Sequence, residues 1–344
     1  MKIKRDALIT ALKTVKPGLA KKEIVEQGTH VIFTGNDLCT FNDHICVIHK
    51  FPTDFTCSVP AEEFYKILEK ITGDEIDITF KHNKLTVKSG SVRGGISTQT
   101  GDELLKKINV LINKKKNWVD IPKDFMEGLG LCVFSASKDM GNLVLTGVYV
   151  DDDLIMSSDN LRMSQYFLKN GTGRKFLIPA STASELLNFA VARYAVEPDG
   201  SWAFFEMKDK AIVFCAQLLV GDKYPSLEQY FDFEGIKFTF PETIKEAVEA
   251  ALVVATGDTD AERLIDVEIG DGVIVCRGEN DLAWLEKEFE ADVIMKDKKT
   301  LKFSINPFFF LKILAHTHKV MYGETKILFI AKDFYHLIAV RAIG

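Results

Sequence analysis

The chain has 344 residues, 47% of them hydrophobic and 27% charged, with a formal net charge of −6. Those proportions belong to a soluble globular protein of two or three domains and exclude a disordered, collagenous or coiled-coil chain. The charge is uneven, +5 over residues 1–119 and −11 over residues 120–344, so any hold on nucleic acid rests on a local patch or on topology, not on overall charge.

Taken in chain order, "MKIKRDALIT" carries charge within its first ten residues and has no apolar core, so it does not read as a secretory signal. The first predicted helix begins near Lys4, with Ala7, Leu8, Ala11, Leu12 and Val15 as its apolar stripe. "LCTFNDHICVIHKF" follows as an alternating strand pattern. It holds Cys39, His44, Cys46 and His49, ligand types that suit zinc, but no common finger spacing, and Cys46 and His49 point to opposite faces of a strand. "SVPAEEFYKILEKI" (58–71) reads as a strand end, a short cap and a helix, with Phe64, Ile67, Leu68 and Ile71 at helical spacing. "GDEIDITFKHNKLTVKSG" then alternates around a "KHNK" turn, a hairpin signal, and "GSVRGG" (90–95) is a turn within a hairpin. The charged stretch "NKKKNWVD" marks a joint near residue 118.

The second third opens with a helix from Pro122, then strands through "LVLTGVYVDDDLIMSSDNLRMS". Its Asp151–Asp153 run lies between two apolar strands and reads as a solvated turn. "LIPASTASELLNFA" (177–190) repeats the strand–cap–helix plan, and "GSWAFFEMKDKAIVFCAQ" repeats the hairpin. "GDKYPSLEQYFDFEG" marks a second joint near 234. The last third gives a helix from Pro241, a third strand–cap–helix in "SINPFFFLKILAHT" (304–317) and a third hairpin in "ETKILFIAKDFYHLIAV". Apolar runs such as "PFFFLKILA" fall short of the roughly 18–20 residues of a membrane span, so the expected location is the cytoplasm. The six cysteines have no C-x-x-C spacing and read as buried thiols in a reducing compartment.

Leu68, Leu187 and Leu314 hold one place in three copies, and Asp6, Asp124 and Thr243 hold another. The predicted architecture is α+β: three tandem domains, 1–118, 119–234 and 235–344, each of two helices packed on antiparallel sheet.

Three such copies resemble the bacterial DNA polymerase III beta subunit, the sliding clamp. "SVPAEEFYKILEKI…LTVKSGSVRGGIST" resembles the family's first-domain helix and hairpin, and "LIPASTASELL" its "IVPRKGVIEL"-like segment. In "LVLTGVYVDDDLIMSSDNLRMS" a leucine and a glycine precede a "TDGHRLA"-like segment, where Asn160 stands for the family's glycine and Leu161 for its histidine. The chain ends "HLIAVRAIG" in place of an "MPMRL"-like tail. The resemblance implies a head-to-tail homodimer closing into a six-domain ring around double-stranded DNA, tethering a DNA polymerase and opened by a clamp loader. It implies no catalytic activity, no cofactor and no metal. By the same resemblance, helices line the hole, and Lys13, Lys16, Lys66, Lys70, Arg193, Lys245 and Lys312 face DNA; Lys319 also falls between apolar positions of a helix. The partner-peptide pocket takes Leu145, Gly147, Ser158, Asn160, Leu161, Arg162, Met163, Leu337 and Ala339. The charge asymmetry, including Lys114–Lys116, is a candidate driver of head-to-tail contact.

The sequence holds no P-loop, Rossmann glycine fingerprint, G-x-S-x-G or H-E-x-x-H. The rival reading is a metal-dependent nucleic-acid hydrolase on duplicated α+β domains, supported by the acidic surplus and the Asp151–Asp153 run.

Overall fold

The computed structural model describes every residue except 23–26, 100, 101, 222, 258, 271, 292–299 and 344. Helices and antiparallel strands alternate along the chain in the predicted order. No described helix is long and apolar enough to cross a membrane. The chain forms two compact units, residues 1–126 with 176–221, and residues 127–175 with 222–344.

The first unit is built on two sheets. One runs Thr56–Pro60, His30–Thr34, Asp37–Phe41, Ile45–Lys50, Ile212–Gln217, Trp202–Met207, Val191–Val196 and Val119–Asp120. Its central pairing, Cys46 opposite Cys215, joins strands from either side of residue 118. The other sheet runs Lys2–Lys4, Glu75–Lys81, Lys84–Ser89 and Val92–Ser97. Its first hairpin turns at His82 and Asn83, both at positive φ, which is the geometry a tight two-residue hairpin needs. The next turn is confined to Gly90 and Ser91, with Gly90 at φ 55°; Val92–Gly95, expected as part of that turn, are strand paired with Thr86–Ser89.

The second unit repeats the plan. Strands Gly147–Asp151, Leu154–Ser158 and Arg162–Phe167 continue into Phe334–Ala339, Lys326–Ile330, Lys319–Gly323 and Ile236–Thr239. The step from Arg162–Phe167 to Phe334–Ala339 crosses residue 234. A smaller sheet runs Trp284–Glu290, Val273–Glu279, Ile265–Gly270, Leu301–Ile305 and Arg341–Ala342. The compact units are therefore offset from the sequence repeats, because each large sheet is sewn across a joint.

The helices bury the faces their spacing predicts. In Arg5–Val15 the residues Leu8, Ala11, Leu12 and Val15 are buried, an i, i+3, i+4, i+7 stripe. Ala7 is exposed and does not belong to it. Phe64 and Leu68 are buried on Ala61–Glu69, and Phe309, Phe310, Ile313 and Leu314 on Pro307–Leu314. The middle copy differs. Helix Ala180–Leu186 ends before Leu187, which is half-buried, and Ala190 is exposed; Leu186 takes the core place expected of Leu187. A further helix, Asp102–Asn113, lies in a stretch with no predicted element, and its Leu104, Ile108 and Leu111 pack into the first unit's core.

The six cysteines are all buried free thiols. Burial holds the thiols of Cys39 and Cys132 well above the ordinary range; at Cys46 the hydrogen bond to Cys215 is the larger cause and burial the second. His44 meets Gln217 Oε1 at 2.9 Å, and His49 lies on the strand face opposite Cys46. Lys114 reaches Glu197, and Lys116 donates to the carbonyls of Leu111, Ile112 and Lys114. Those two lysines thus have partners within the chain.

Candidate functional site

The turn at Asp159–Leu161 organises the site. Asp159 Oδ1 accepts the backbone N–H of Leu161 at 3.1 Å and of Arg162 at 3.0 Å, and its Oδ2 meets Arg162 Nε at 2.9 Å. Ser158 Oγ donates to the Arg162 carbonyl and accepts the Asn160 N–H. Asn160 sits at φ 70°, the left-handed region that glycine favours and asparagine tolerates best among the other residues. That accounts for an asparagine where the resemblance places a glycine.

Strand Arg162–Phe167 then alternates between two faces. Met163 stands opposite Leu337, and the Ala339 N–H donates to the Leu161 carbonyl at 2.8 Å, so the C-terminal positions lie beside the turn. Leu337, Leu328 and Met321 form one apolar cluster, with Met163, Tyr335, Ile330, Phe231 and Phe233 half-buried against it. Leu161 is 44% exposed at its rim. Gly147 begins a strand and Ser158 ends its hairpin mate, and Leu145 is buried just before that hairpin. The structure therefore groups Ser158, Asn160, Leu161, Met163, Leu337 and Ala339 about one turn, with Leu145 and Gly147 at the base of the adjoining hairpin.

Arg162 points to the other face. Its guanidinium lies 3.9 Å from the Phe309 ring centroid and 5.5 Å from that of Phe134. Sequence reading missed both aromatic partners. The run Phe308–Phe310 was the available signal, since three consecutive aromatics cannot all face one core from a helix. Asn306 caps that helix by accepting the Phe309 N–H at 3.0 Å.

Below Arg162 lies a sealed polar trio. Ser135 Oγ and Ser164 Oγ are 2.7 Å apart, and Ser164 Oγ is 2.9 Å from His336 Nδ1. His336 is fully buried, and its Nε2 has no hydrogen-bond partner. A serine beside a histidine resembles a nucleophile and its base, but no substrate reaches this pair. Burial, and then the charges of Arg162, His316 and Lys312, hold His336 well below the usual histidine range. Burial also lowers His316 and His49. His336 stays neutral in the fold while the unfolded chain binds a proton there below about pH 6.5, so its contribution to stability is complete above that pH and lost as pH falls through it, by up to about 1.4 kcal/mol per pH unit. Urea unfolding midpoints are expected to fall between pH 7.5 and 5.5, with a shallower slope in His336→Gln; a flat profile contradicts the neutral assignment.

The predicted DNA-facing residues separate. Lys13, Lys16, Lys66 and Lys70 are exposed on or just after the first unit's helices, Lys66 bridging Glu62 at 2.6 Å. Lys245 is half-buried on helix Ile244–Leu252. Arg193 is not on a helix: it lies in strand Val191–Val196, its Nε 2.8 Å from Glu206, and packs over Trp118. Lys319 likewise begins a strand. Lys312 stands over the Phe134 ring at 4.8 Å, the ring that also carries Arg162.

Across its whole length the chain superposes on solved bacterial clamps. A putative DNA polymerase III beta subunit from Eubacterium rectale matches with TM-score 0.83 and 14% identity, covering 98% of both chains. The Helicobacter pylori beta clamp matches at 0.83 and 15% over all of both chains. The DNA polymerase beta subunit of Streptococcus pyogenes matches at 0.82 and 18%, covering 99% of each. The chain has the sliding-clamp fold. No protein-family model matches it, and no curated protein matches it in sequence.

Proposed function

We propose that the chain is a DNA sliding clamp, a processivity factor without chemistry of its own. In this reading residues 1–118, 119–234 and 235–344 are three clamp domains, and two copies close head to tail around duplex DNA in the cytoplasm. The ring is opened by a clamp loader and tethers a DNA polymerase through the Leu161–Leu337 cleft. Coverage of essentially the whole of each clamp by the whole of this chain carries the reading.

Two strand edges support the dimer. Strand Trp284–Glu290 ends one sheet, with Glu288 and Glu290 exposed beside Trp284 at 61% and Leu282 at 97% exposure. Strand Val92–Ser97 ends another, with Arg93, Lys88 and Lys84 exposed. An acidic, apolar-rimmed edge and a basic edge are complementary, and open edges recruit strands from other chains. Pairing one with the other between copies is heterologous and closes a ring if the rotation allows.

The hydrolase reading loses its support at the Asp151–Asp153 run. Asp151 pairs with Lys175 at 2.7 Å, and Asp152 Oδ1 accepts the Gly173 N–H at 2.7 Å within the turn. Among the described residues no three His, Cys, Asp or Glu side chains are placed to hold a metal.

Light scattering with negative-stain images tests the assembly. The expected particle is a dimer of about 77 kDa, twice the chain's 38.6 kDa, with a hole that admits a duplex of roughly 20 Å. Glu288→Lys with Glu290→Lys is expected to return it to monomer at micromolar concentration, and adding Lys88→Glu with Arg93→Glu to restore the dimer. A wild-type monomer at those concentrations overturns the ring.

A further inference from the structure

We propose that Asn170 is a self-modification site: the fold leaves its side-chain amide open to loss as ammonia, and the isoaspartate that results loosens the loop around it from the hairpin it clasps.

Asn170 alone among the asparagines of this chain is followed by glycine. It is exposed, in the loop between strands Arg162–Phe167 and Lys175–Pro179. That loop holds the turn at Asp152 and Asp153 from both sides. The Leu168 N–H donates to the Asp153 carbonyl at 2.7 Å. Beyond the bend, the Thr172 N–H donates to the Asp152 carbonyl at 2.9 Å, the Gly173 N–H to Asp152 Oδ1 at 2.7 Å, and the Arg174 carbonyl accepts the Asp152 N–H at 3.1 Å. Asn170 and Gly171 stand between these ties. Neither the Gly171 N–H nor the Asn170 side-chain amide has a hydrogen-bond partner among the described residues. Gly171 is required by packing, since a Cβ there would collide with Asp152 Oδ1 and lie 2.8 Å from its Cγ. The fold thus sets, beside an exposed and thermolabile asparagine, the residue that least hinders attack on its side chain.

The reaction joins groups on adjacent residues, so proximity is supplied by the chain itself. The Gly171 nitrogen gives up its proton to base and attacks Asn170 Cγ. An N–Cγ bond forms, the Cγ–Nδ2 bond breaks, and ammonia leaves with a proton returned by water. Water then opens the succinimide ring. Cleavage at Cγ gives aspartate; cleavage at the Asn170 backbone carbonyl carbon gives isoaspartate, whose main chain runs through the former side chain and is one methylene longer. Nothing is oxidised or reduced. The extra methylene falls between two sets of ties fixed by one hairpin, so the loop cannot keep both.

Other asparagines are withheld from this chemistry. Asn42 and Asn280 engage their Oδ1 atoms with the backbone N–H groups of His44 and Ile45, and of Leu282 and Ala283. After Asn160, the Leu161 N–H is taken by Asp159 Oδ1. Asn306 is followed by Pro307, which has no N–H. In the acidic counterpart Asp199–Gly200, the Gly200 N–H donates to the Glu197 carbonyl at 2.9 Å.

The test stores the full-length protein beside a synthetic peptide of residues 169–174 in water enriched in heavy oxygen, and follows both by peptide mapping and mass spectrometry. Asn170 is expected to convert about tenfold faster than any other asparagine of the protein, at a rate within about tenfold of the free peptide, taking up one solvent oxygen and running faster in alkaline than in mildly acidic buffer. Asn170→Gln should stay unmodified at that position. Molecules carrying isoaspartate should be cut by trypsin after Arg174 faster than fresh protein, whereas Asn170→Asp, which has the charge without the extra methylene, should be cut at the wild-type rate. Retention of the Asn170 amide while the free peptide converts, or faster conversion of another asparagine, overturns the site. Equal cutting of isoaspartate-bearing and fresh protein overturns the loosening.

Discussion

Gly278→Ala is expected to destabilise the second unit by about 3 kcal/mol or more, and to lower its thermal midpoint by about 6–12 °C. Gly278 is buried in strand Val273–Glu279, opposite Leu285, where helix Ile244–Leu252 crosses the sheet. A Cβ there collides with the Ala251 carbonyl oxygen and lies 2.8 Å from its carbon. Both obstacles are backbone, so no side chain can swing aside and the helix must lift from the strand. Ala251 is itself fully buried, so lifting the helix opens a void beneath it. Calorimetry of the variant checks this; a midpoint within a degree of the wild type contradicts the close approach of helix and strand.

Arg162→Ala is the second large effect, expected to cost about 2–4 kcal/mol. It leaves the Asp159 carboxylate nearly buried with no counter-charge, and uncovers the faces of Phe309 and Phe134. The cost stays below the upper range for a broken buried pair because Asp159 Oδ1 keeps two backbone N–H donors. Lysine should not rescue it, since a compact ammonium reproduces neither the planar guanidinium over Phe309 nor the Nε–H bond to Asp159 Oδ2. Asp159→Asn should cost less, retaining the turn's acceptor while losing the charge pair. Urea titration ranks the variants. Wild-type stability in Arg162→Ala contradicts the assigned pairing.

Local features of this fold were open to sequence reading and long-range ones were not. Phe64 with Leu68 and Phe310 with Leu314 announce their helices because their spacing is local, and the three hairpins announce themselves by alternation around polar turns. The expectation of helical positions for Leu187 and Arg193 failed for a physical reason. The helix stops at Leu186, and the strand after it carries a register shift between Val191 and Arg193 that breaks the alternation by which a strand is recognised. Helix Asp102–Asn113 had its signal in Leu104, Ile108 and Leu111, obscured by the lysine-rich joint that follows. The pairing of residues 162–167 with 334–339 spans the second joint, and no local pattern encodes it. The turn at Ser158–Met163 was legible through its family-like order of residues; the stacking of Arg162 on Phe134 and Phe309, with Lys312 on the first of these rings, needed the structure.

The central claim is that this chain holds DNA by enclosing it. Protein diluted to separate its subunits, then concentrated in the presence of a nicked circular plasmid, should thread a fraction of rings onto the circle. After gel filtration in about 0.5 M NaCl, where phosphate contacts are screened, the protein is predicted to co-elute with the circle and to be lost when a restriction enzyme linearises it. Equal retention on circular and linear DNA, or retention on neither, contradicts enclosure.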